Sequence, residues 1–176
     1  MSASLKPLTV DEFLEWERSQ PLRYEFDGIQ PVAMTGGSVP HVRVITGLTV
    51  ASANRVRPPC EAFASELKVL TGGRVRYPDV TVACGASAEV GDTITPTAVF
   101  EVLSPSTALT DRRVKASEYA SVSSIRIYVI LETERPEITV LRRATGWEAE
   151  VAVGLDAELA LPEIGIVVPV SDIYRP

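Results

Sequence analysis

The order of helical and strand-like segments predicts an α+β protein, a mixed α/β sandwich in which helices pack on a central β-sheet. We expect a helix, a hairpin, a second helix, three strands, a third helix, a strand and a last hairpin. The nearly continuous apolar run from Ile125 to Leu131 is typical of a strand covered on both faces. Hydrophobic residues are 45% and charged residues 23% of the 176 residues, as in ordinary globular proteins. We therefore expect a single domain over residues 1–176.

Capping and turn residues mark the first elements. Thr9 and Glu12 have the spacing of a capping box, so the first helix should begin there and end near Arg18. Residues 24–34 then predict two short strands about a turn at Asp27 and Gly28.

The middle of the chain predicts a helix and a long hairpin. The helix is expected at about 41–56, with one apolar face formed by Val44, Ile45 and Leu48. Residues 61–70 and 75–84, separated by the turn at Gly72 and Gly73, predict the two arms of the hairpin.

The second half alternates strands and one helix. Ala98 to Leu103 is the most strongly apolar strand, and Pro105 should end it. A helix is expected at about 111–121, followed by the buried strand at 125–131. Residues 137–153 then predict another hairpin, and the tail from Leu159 is strand-like.

The net charge of −6 argues against a protein that coats nucleic acid through its overall field. It does not exclude a nuclease, because acidic catalytic residues contribute to the sum and arginines can concentrate on one face. For most arginines, plain solvated surface is the simpler interpretation. The candidates for a basic face are Arg55 and Arg57, Arg74 and Arg76, Arg112 and Arg113, and Arg142 and Arg143.

Hydropathy and cysteine content suggest a cytoplasmic protein without membrane partners. No apolar run approaches the roughly 20 residues needed to span a bilayer, and residues 1–7 lack the features of a secretory signal. Cys60 and Cys84 are too far apart in sequence to suggest a zinc knuckle. We expect both cysteines to be reduced thiols.

Two carboxylates stand beside buried strands. Glu101 is flanked by apolar residues on both sides, and Asp79 precedes a strand-like run. By alternation, Val99, Glu101 and Leu103 share one face of their strand. A carboxylate stripped of water is usually paired, hydrogen-bonded or bound to a metal. Glu101 is therefore either a ligand facing a cleft or the partner of an arginine, and Asp79 is either a ligand or a solvated turn residue.

The helix that follows carries a polar stripe. Asp111, Lys115 and Tyr119 recur four residues apart, so they share one side of a helix. They form either a surface Asp–Lys pair beside a packed tyrosine, or a site in which Lys115 reaches the carboxylates and stabilises charge in a transition state. The spacing alone does not distinguish between these two interpretations.

Other catalytic constellations are absent or weak. The sequence has no G-x-S-x-G serine nucleophile motif and no phosphate-binding P-loop. A two-carboxylate glycosidase is formally possible, but aromatic residues are only 6% and form no sugar platform. His41 is the single histidine, which excludes a histidine-rich metal site, and at the head of a helix it favours a structural or surface role.

Five segments together resemble the Uma-two (Uma2) family of restriction-endonuclease-like proteins, a branch of the PD-(D/E)XK nuclease superfamily. They appear in the family's order and cover nearly the whole chain. The segments are Arg23-Tyr-Glu-Phe-Asp-Gly, Tyr77-Pro-Asp-Val-Thr-Val, Phe100-Glu-Val-Leu-Ser-Pro-Ser-Thr, Asp111-Arg-Arg-Val-Lys-Ala-Ser-Glu-Tyr and Ser171-Asp-Ile-Tyr.

This resemblance implies a PD-(D/E)XK core, with a central mixed β-sheet flanked by helices. Asp79 matches the aspartate of the motif and Glu101 its (D/E), and both become the expected metal ligands with the backbone carbonyl of Val102. Glu25 matches a further acidic residue, which could bind a second ion or orient water. One position departs from the motif: Leu103 stands where the lysine is usual.

The resemblance further implies that the lysine has moved to the following helix, where Lys115 matches it, and that Tyr119 could contact a phosphate. The expected function is a Mg²⁺- or Mn²⁺-dependent nuclease, a DNA endonuclease that works as a homodimer. The competing hypothesis is a noncatalytic binding or dimerisation module that has kept the nuclease fold. Convergence of Glu25, Asp79, Glu101 and Lys115 favours the enzyme.

Overall fold

A computed structural model describes residues 8–34, 36–85, 91–103 and 110–174, with the backbone alone for residues 110–112. Pro105, expected to end a strand, and the side chain of Asp111 lie outside the described part of the chain. Within that part, no helix is long and apolar enough to cross a membrane.

A helix and a short hairpin begin the fold. Helix α1 (Val10–Glu17) has the expected capping box, in which the Glu12 amide donates to Thr9 Oγ1 and the Thr9 amide to a Glu12 carboxylate oxygen. Strands β1 (Tyr24–Phe26) and β2 (Pro31–Ala33) pair antiparallel about the predicted turn.

Helix α2 (Val39–Ala53) begins at the Ser38 N-cap and ends earlier than expected. Val44 and Leu48 on its inner face are buried, as predicted. Gly47 lies where the helix touches the end of the chain, because a Cβ there would be 2.2 Å from the carbonyl oxygen of Ile173. The helix therefore needs a glycine at this crossing, despite the cost to helix propensity.

The long hairpin exists but is divided between two sheets. Its strands are β3 (Cys60–Ala64), β4 (Val69–Leu70), β5 (Val75–Arg76) and β6 (Val80–Cys84). Ala64 pairs with Val80, whereas Val69 pairs with Arg76, so the register differs by one residue between the two ladders. An extra residue of this kind bends a hairpin, which explains why its tip leaves the main sheet.

The main sheet has six strands and is mixed. Besides β3 and β6 it contains β7 (Ala98–Val102), β8 (Ile127–Leu131), β9 (Glu137–Arg142) and β10 (Ala149–Val153). The order is β10-β9-β8-β7-β6-β3, and β7 and β8 are its parallel pair. All residues of β7 and β8 are buried. The second sheet has the order β2-β1-β5-β4.

Helices cover both faces of the main sheet. On one face, α2 packs with β11 (Glu158–Leu161), β12 (Ile166–Pro169) and the unanticipated short helix α4 (Val170–Ile173). On the other face lie a π-helical turn (Thr110–Lys115) and helix α3 (Ala116–Ser121), which divide the single helix that we expected. The predicted central mixed sheet flanked by helices is confirmed.

The expectation of two reduced cysteines is wrong. Cys60 and Cys84 form a disulfide bond, although 24 positions separate them in sequence. They occupy directly opposed positions of β3 and β6, a proximity that depends on the strand register and has no local sequence signal. The expectation of a cytoplasmic protein therefore loses the support of free thiols.

Candidate active site

Asp79 lies immediately before β6, next to the end of β7. Its backbone carbonyl accepts hydrogen bonds from both the amide and the hydroxyl of Ser65, each 2.9 Å long. Its Oδ2 accepts a 2.7 Å hydrogen bond from the Val102 amide. The aspartate is thus fixed at the point where β3, β6 and β7 meet, beside the amide group of Val102.

Glu101 points to the face covered by α3, as alternation along β7 predicted. Its side chain is 5% exposed. Its Oε1 accepts hydrogen bonds from Lys115 Nζ at 2.9 Å and from the Tyr119 hydroxyl at 2.8 Å. Val99 and Leu103 join Tyr119 in the core on this face.

Lys115 is buried, so the surface Asp–Lys pair is not its principal environment. Besides Glu101, its ammonium lies 3.2 Å from Glu25 Oε1. Lys115 ends the π-helical turn, and such turns are frequent at functional sites because they alter how a helix presents its side chains. The turn and β1 therefore bring Lys115, Glu101 and Glu25 into one ion-paired group.

Two residues that we did not assign to the site extend this group. Arg76 donates to Glu25 Oε2 at 2.9 Å and forms two hydrogen bonds with Glu118, at 2.7 and 2.8 Å. Both side chains are nearly inaccessible, at 4% and 3% exposed. Arg76 was a candidate for a basic surface, and it is instead a buried anchor for Glu25.

The surroundings fix the ionisation of two of these groups. Burial alone lowers the pKa of the Arg76 guanidinium, but its hydrogen bonds to Glu118 and the charge of Glu25 raise the pKa overall, so Arg76 stays charged. Burial, reinforced by the charge of Glu101, raises the pKa of Tyr119 well above its ordinary value. Tyr119 therefore remains a neutral donor to Glu101.

His41 also lies at this site, which the sequence did not indicate. Its Nε2 is 2.9 Å from the Val102 carbonyl oxygen and 3.7 Å from Asp79 Oδ2. The imidazole comes from the first turn of α2, on the opposite face of the sheet from Lys115. Because His41 precedes Asp79 by 38 residues, no local sequence pattern indicates that the two side chains are close.

A separate buried cluster supports the segment that leads to Asp79. The Tyr77 hydroxyl donates to Glu17 Oε1 at 2.7 Å, and Lys68 Nζ lies 3.0 Å from Glu17 Oε2. Lys68 also pairs with Asp92. Burial and Glu17 raise the pKa of Tyr77 to about 12. This cluster anchors Tyr77, two positions before Asp79.

The donor groups around β7 suit a hard divalent cation. Mg²⁺ and Mn²⁺ prefer carboxylate and carbonyl oxygens, which Asp79, Glu101 and the Val102 carbonyl supply. Among the residues that the structure describes, no group of three His, Cys, Asp or Glu side chains is arranged to hold a metal. A cation bound here would therefore need the backbone carbonyl as well as side chains.

Of the predicted site residues, Glu25, Glu101, Lys115 and Tyr119 are directly linked, and Asp79 joins them through Val102 of β7. The pairing of Glu118 with Arg76 was not predicted, because the two residues are 42 positions apart and meet only in the fold. Glu118 follows Lys115 by three positions, so the sequence could have placed both on the same side of a helix. The sequence could not have identified Arg76 as the partner of Glu118.

Comparison with known proteins agrees with this architecture. The model of the Uma2 family, described as "Putative restriction endonuclease", matches residues 10–170. An uncharacterized protein (slr1290) of Synechocystis sp. (strain ATCC 27184 / PCC 6803 / Kazusa) is 31% identical over 180 residues, which cover 99% of this chain and 95% of that protein.

The fold is also that of a solved structure. A crystal structure from Anabaena variabilis ATCC 29413, described as "a putative nuclease belonging to DUF820", superposes with a TM-score of 0.75 at 19% identity. The match covers 96% of this chain and 98% of the other. The chain therefore shares the fold of that structure, and it belongs to the Uma2 family.

Proposed function

We propose that the protein is a metal-dependent nuclease that hydrolyses phosphodiester bonds, with DNA as its substrate and Mg²⁺ or Mn²⁺ as its cofactor. The observation that carries the proposal is the position of Lys115. Although Leu103 stands in the usual place of the motif lysine, Lys115 Nζ lies 2.9 Å from Glu101 and 3.2 Å from Glu25. A lysine from the next helix thus supplies the ammonium that the motif lacks.

Asp79, Glu101 and the carbonyl group of Val102 would hold the cation. When bound, a divalent cation supplies a Lewis acid that neutralises charge on the phosphate and makes the attacking water more acidic. The hydrogen bond from the Val102 amide orients Asp79, and the Tyr119 hydroxyl orients Glu101. Because Tyr119 is fully buried, we assign it this orienting role instead of a phosphate contact.

Lys115 would act as the positive group beside the reacting phosphate. Preorganised charge of this kind stabilises negative charge that develops in a transition state. Glu25 also pairs with the ammonium, and Arg76 in turn pairs with Glu25. The network positions Lys115 without requiring it to move when substrate arrives.

Cleavage assays test the proposal. Supercoiled plasmid and single-stranded DNA are incubated with Mg²⁺, with Mn²⁺ and with EDTA, for the wild type and for Asp79→Ala and Glu101→Ala. We expect metal-dependent cutting that both substitutions abolish, whereas Asp156→Asn, at an exposed position away from the site, leaves it unchanged. Absence of cutting together with absence of metal binding in calorimetry would instead support a noncatalytic nuclease-fold module.

We also propose a homodimer, since two copies of one active site can each cut one strand of a duplex. Light scattering coupled to size-exclusion chromatography measures the mass directly. A dimer mass agrees with the proposal. A chain that stays at 19.0 kDa while cutting both strands contradicts it.

A further inference from the structure

The contacts of His41 do not have a role in the function proposed so far. The ring is largely buried, at 14% exposed, and it crosses the end of β7 to reach Val102 and Asp79. These are two of the groups that we expect to hold the cation. The imidazole nitrogen of His41 therefore lies close to the place where a cation bound to both Asp79 and the Val102 carbonyl would be.

We propose that His41 Nε2 is a ligand of the divalent cation, together with Asp79 and the carbonyl oxygen of Val102. This inference rests on the proposed function, since it concerns the same metal site. It places one nitrogen donor beside the Asp79 carboxylate and the Val102 carbonyl.

The spacing of the donor atoms fits an octahedral shell. Ligands about 2.1 Å from such a cation are about 3.0 Å apart when adjacent and about 4.2 Å apart when opposite. Nε2 lies 2.9 Å from the Val102 oxygen and 3.7 Å from Asp79 Oδ2. The first distance is that of adjacent ligands, and the second falls between the two limits, so the imidazole needs little displacement to ligate.

The protonation of the ring is also compatible. A carbonyl oxygen only accepts hydrogen bonds, so the contact with Val102 requires a proton on Nε2. Nδ1 is buried and lacks a hydrogen-bond partner among the described residues. Transfer of the proton to Nδ1 breaks the bond to Val102 and frees Nε2 and one carbonyl lone pair for a cation, at the cost of a buried Nδ1–H that no described group accepts.

Gly37 leaves room for the ring in this position. A Cβ at residue 37 would lie 2.5 Å from His41 Nδ1, so any side chain there displaces the imidazole. The contact with Val102 positions the ring before a cation arrives, and preorganised ligands bind more tightly because less freedom is lost.

Electron spin-echo spectroscopy of bound Mn²⁺ tests the inference, because the chain contains a single histidine. Protein grown with ¹⁵N-histidine carries the label at His41 alone. We expect nitrogen modulation from a coordinated imidazole in unlabelled protein, a changed spectrum with the label, and its loss in His41→Gln. Calorimetry should show Mn²⁺ affinity weakened by at least about tenfold in His41→Gln, as for the loss of groups that support a metal site.

The possible results separate this inference from the proposed function. Mn²⁺ binding that Asp79→Asn abolishes, but that shows no coupling to His41, overturns the histidine ligand and leaves the nuclease proposal standing. If the nitrogen modulation from His41 persists in Asp79→Asn, the two residues do not bind the same ion, and the inference is overturned. Failure to bind millimolar Mn²⁺ overturns both. The labelled wild type needs no substitution, so the spectrum decides even if His41→Gln does not fold.

Discussion

Replacing Lys115 by methionine tests whether one ammonium serves both the fold and the chemistry. The substitution keeps most of the side chain's length but leaves Glu101 and Glu25 without this cation, and their side chains are only 5% and 15% exposed. Removing one partner of a buried ion pair costs about 3–5 kcal/mol. At about 2–4 °C for each kcal/mol in a chain of this size, Tm should fall by about 6–20 °C.

Lys68 offers a matched control. Its side chain is 6% exposed and lies 3.0 Å from a Glu17 carboxylate that is equally buried, at 5% exposed. Lys68→Met should therefore lower Tm by a similar amount. Metal-dependent DNA cleavage, measured at a temperature where circular dichroism shows both variants folded, should disappear in Lys115→Met and persist in Lys68→Met. Wild-type cutting by Lys115→Met, or equal loss in both variants, would refute the reasoning.

Three further predictions concern stability and the cysteines. Arg76→Met should lower the free energy of unfolding in urea by about 3–5 kcal/mol, because Glu118 and Glu25 each lose the buried guanidinium that pairs with them. The double variant Arg76→Met/Glu118→Leu should be more stable than this single variant, and an additive loss would contradict the buried pair. Gly47→Ala should lower Tm, because the added methyl group meets the Ile173 carbonyl, although alanine favours a helix over glycine by about 1 kcal/mol. Gly36→Ala is the control: a methyl group there meets no atom within 4 Å, so Tm should change little. Thiol titration of denatured, unreduced protein should detect no free cysteine, and after reduction both should react; reactive thiols before reduction would contradict the disulfide.

Local patterns predicted most of the secondary structure correctly. The capping box at Thr9 fixed the start of α1, and alternation along Ala98–Val102 placed Glu101 on the face of α3. The register shift within the hairpin was not predictable, because the sequence between Ala64 and Val80 shows two arms and a turn but not which residues pair. Helix α4 has only four residues, too few for a period to emerge.

The site was predicted where its residues belong to short motifs, and missed where they meet through the fold. Glu101 and Lys115 are 14 positions apart, on a strand and the helix that returns to it, so their proximity follows from a compact crossover. The contact between His41 and Val102 joins positions 61 residues apart across the sheet. Only the packing of α2 on β7 brings them together. No sequence pattern around either residue indicates that they are close.

The position of Mn²⁺ in crystals tests the central claim most directly. Anomalous scattering at the manganese edge locates the ion without assumptions about activity. The account predicts a peak within about 2.0–2.6 Å of oxygens from Asp79, Glu101 and the Val102 carbonyl. A peak elsewhere on the protein, or no peak at saturating Mn²⁺, would contradict a metal-dependent active site at the end of β7.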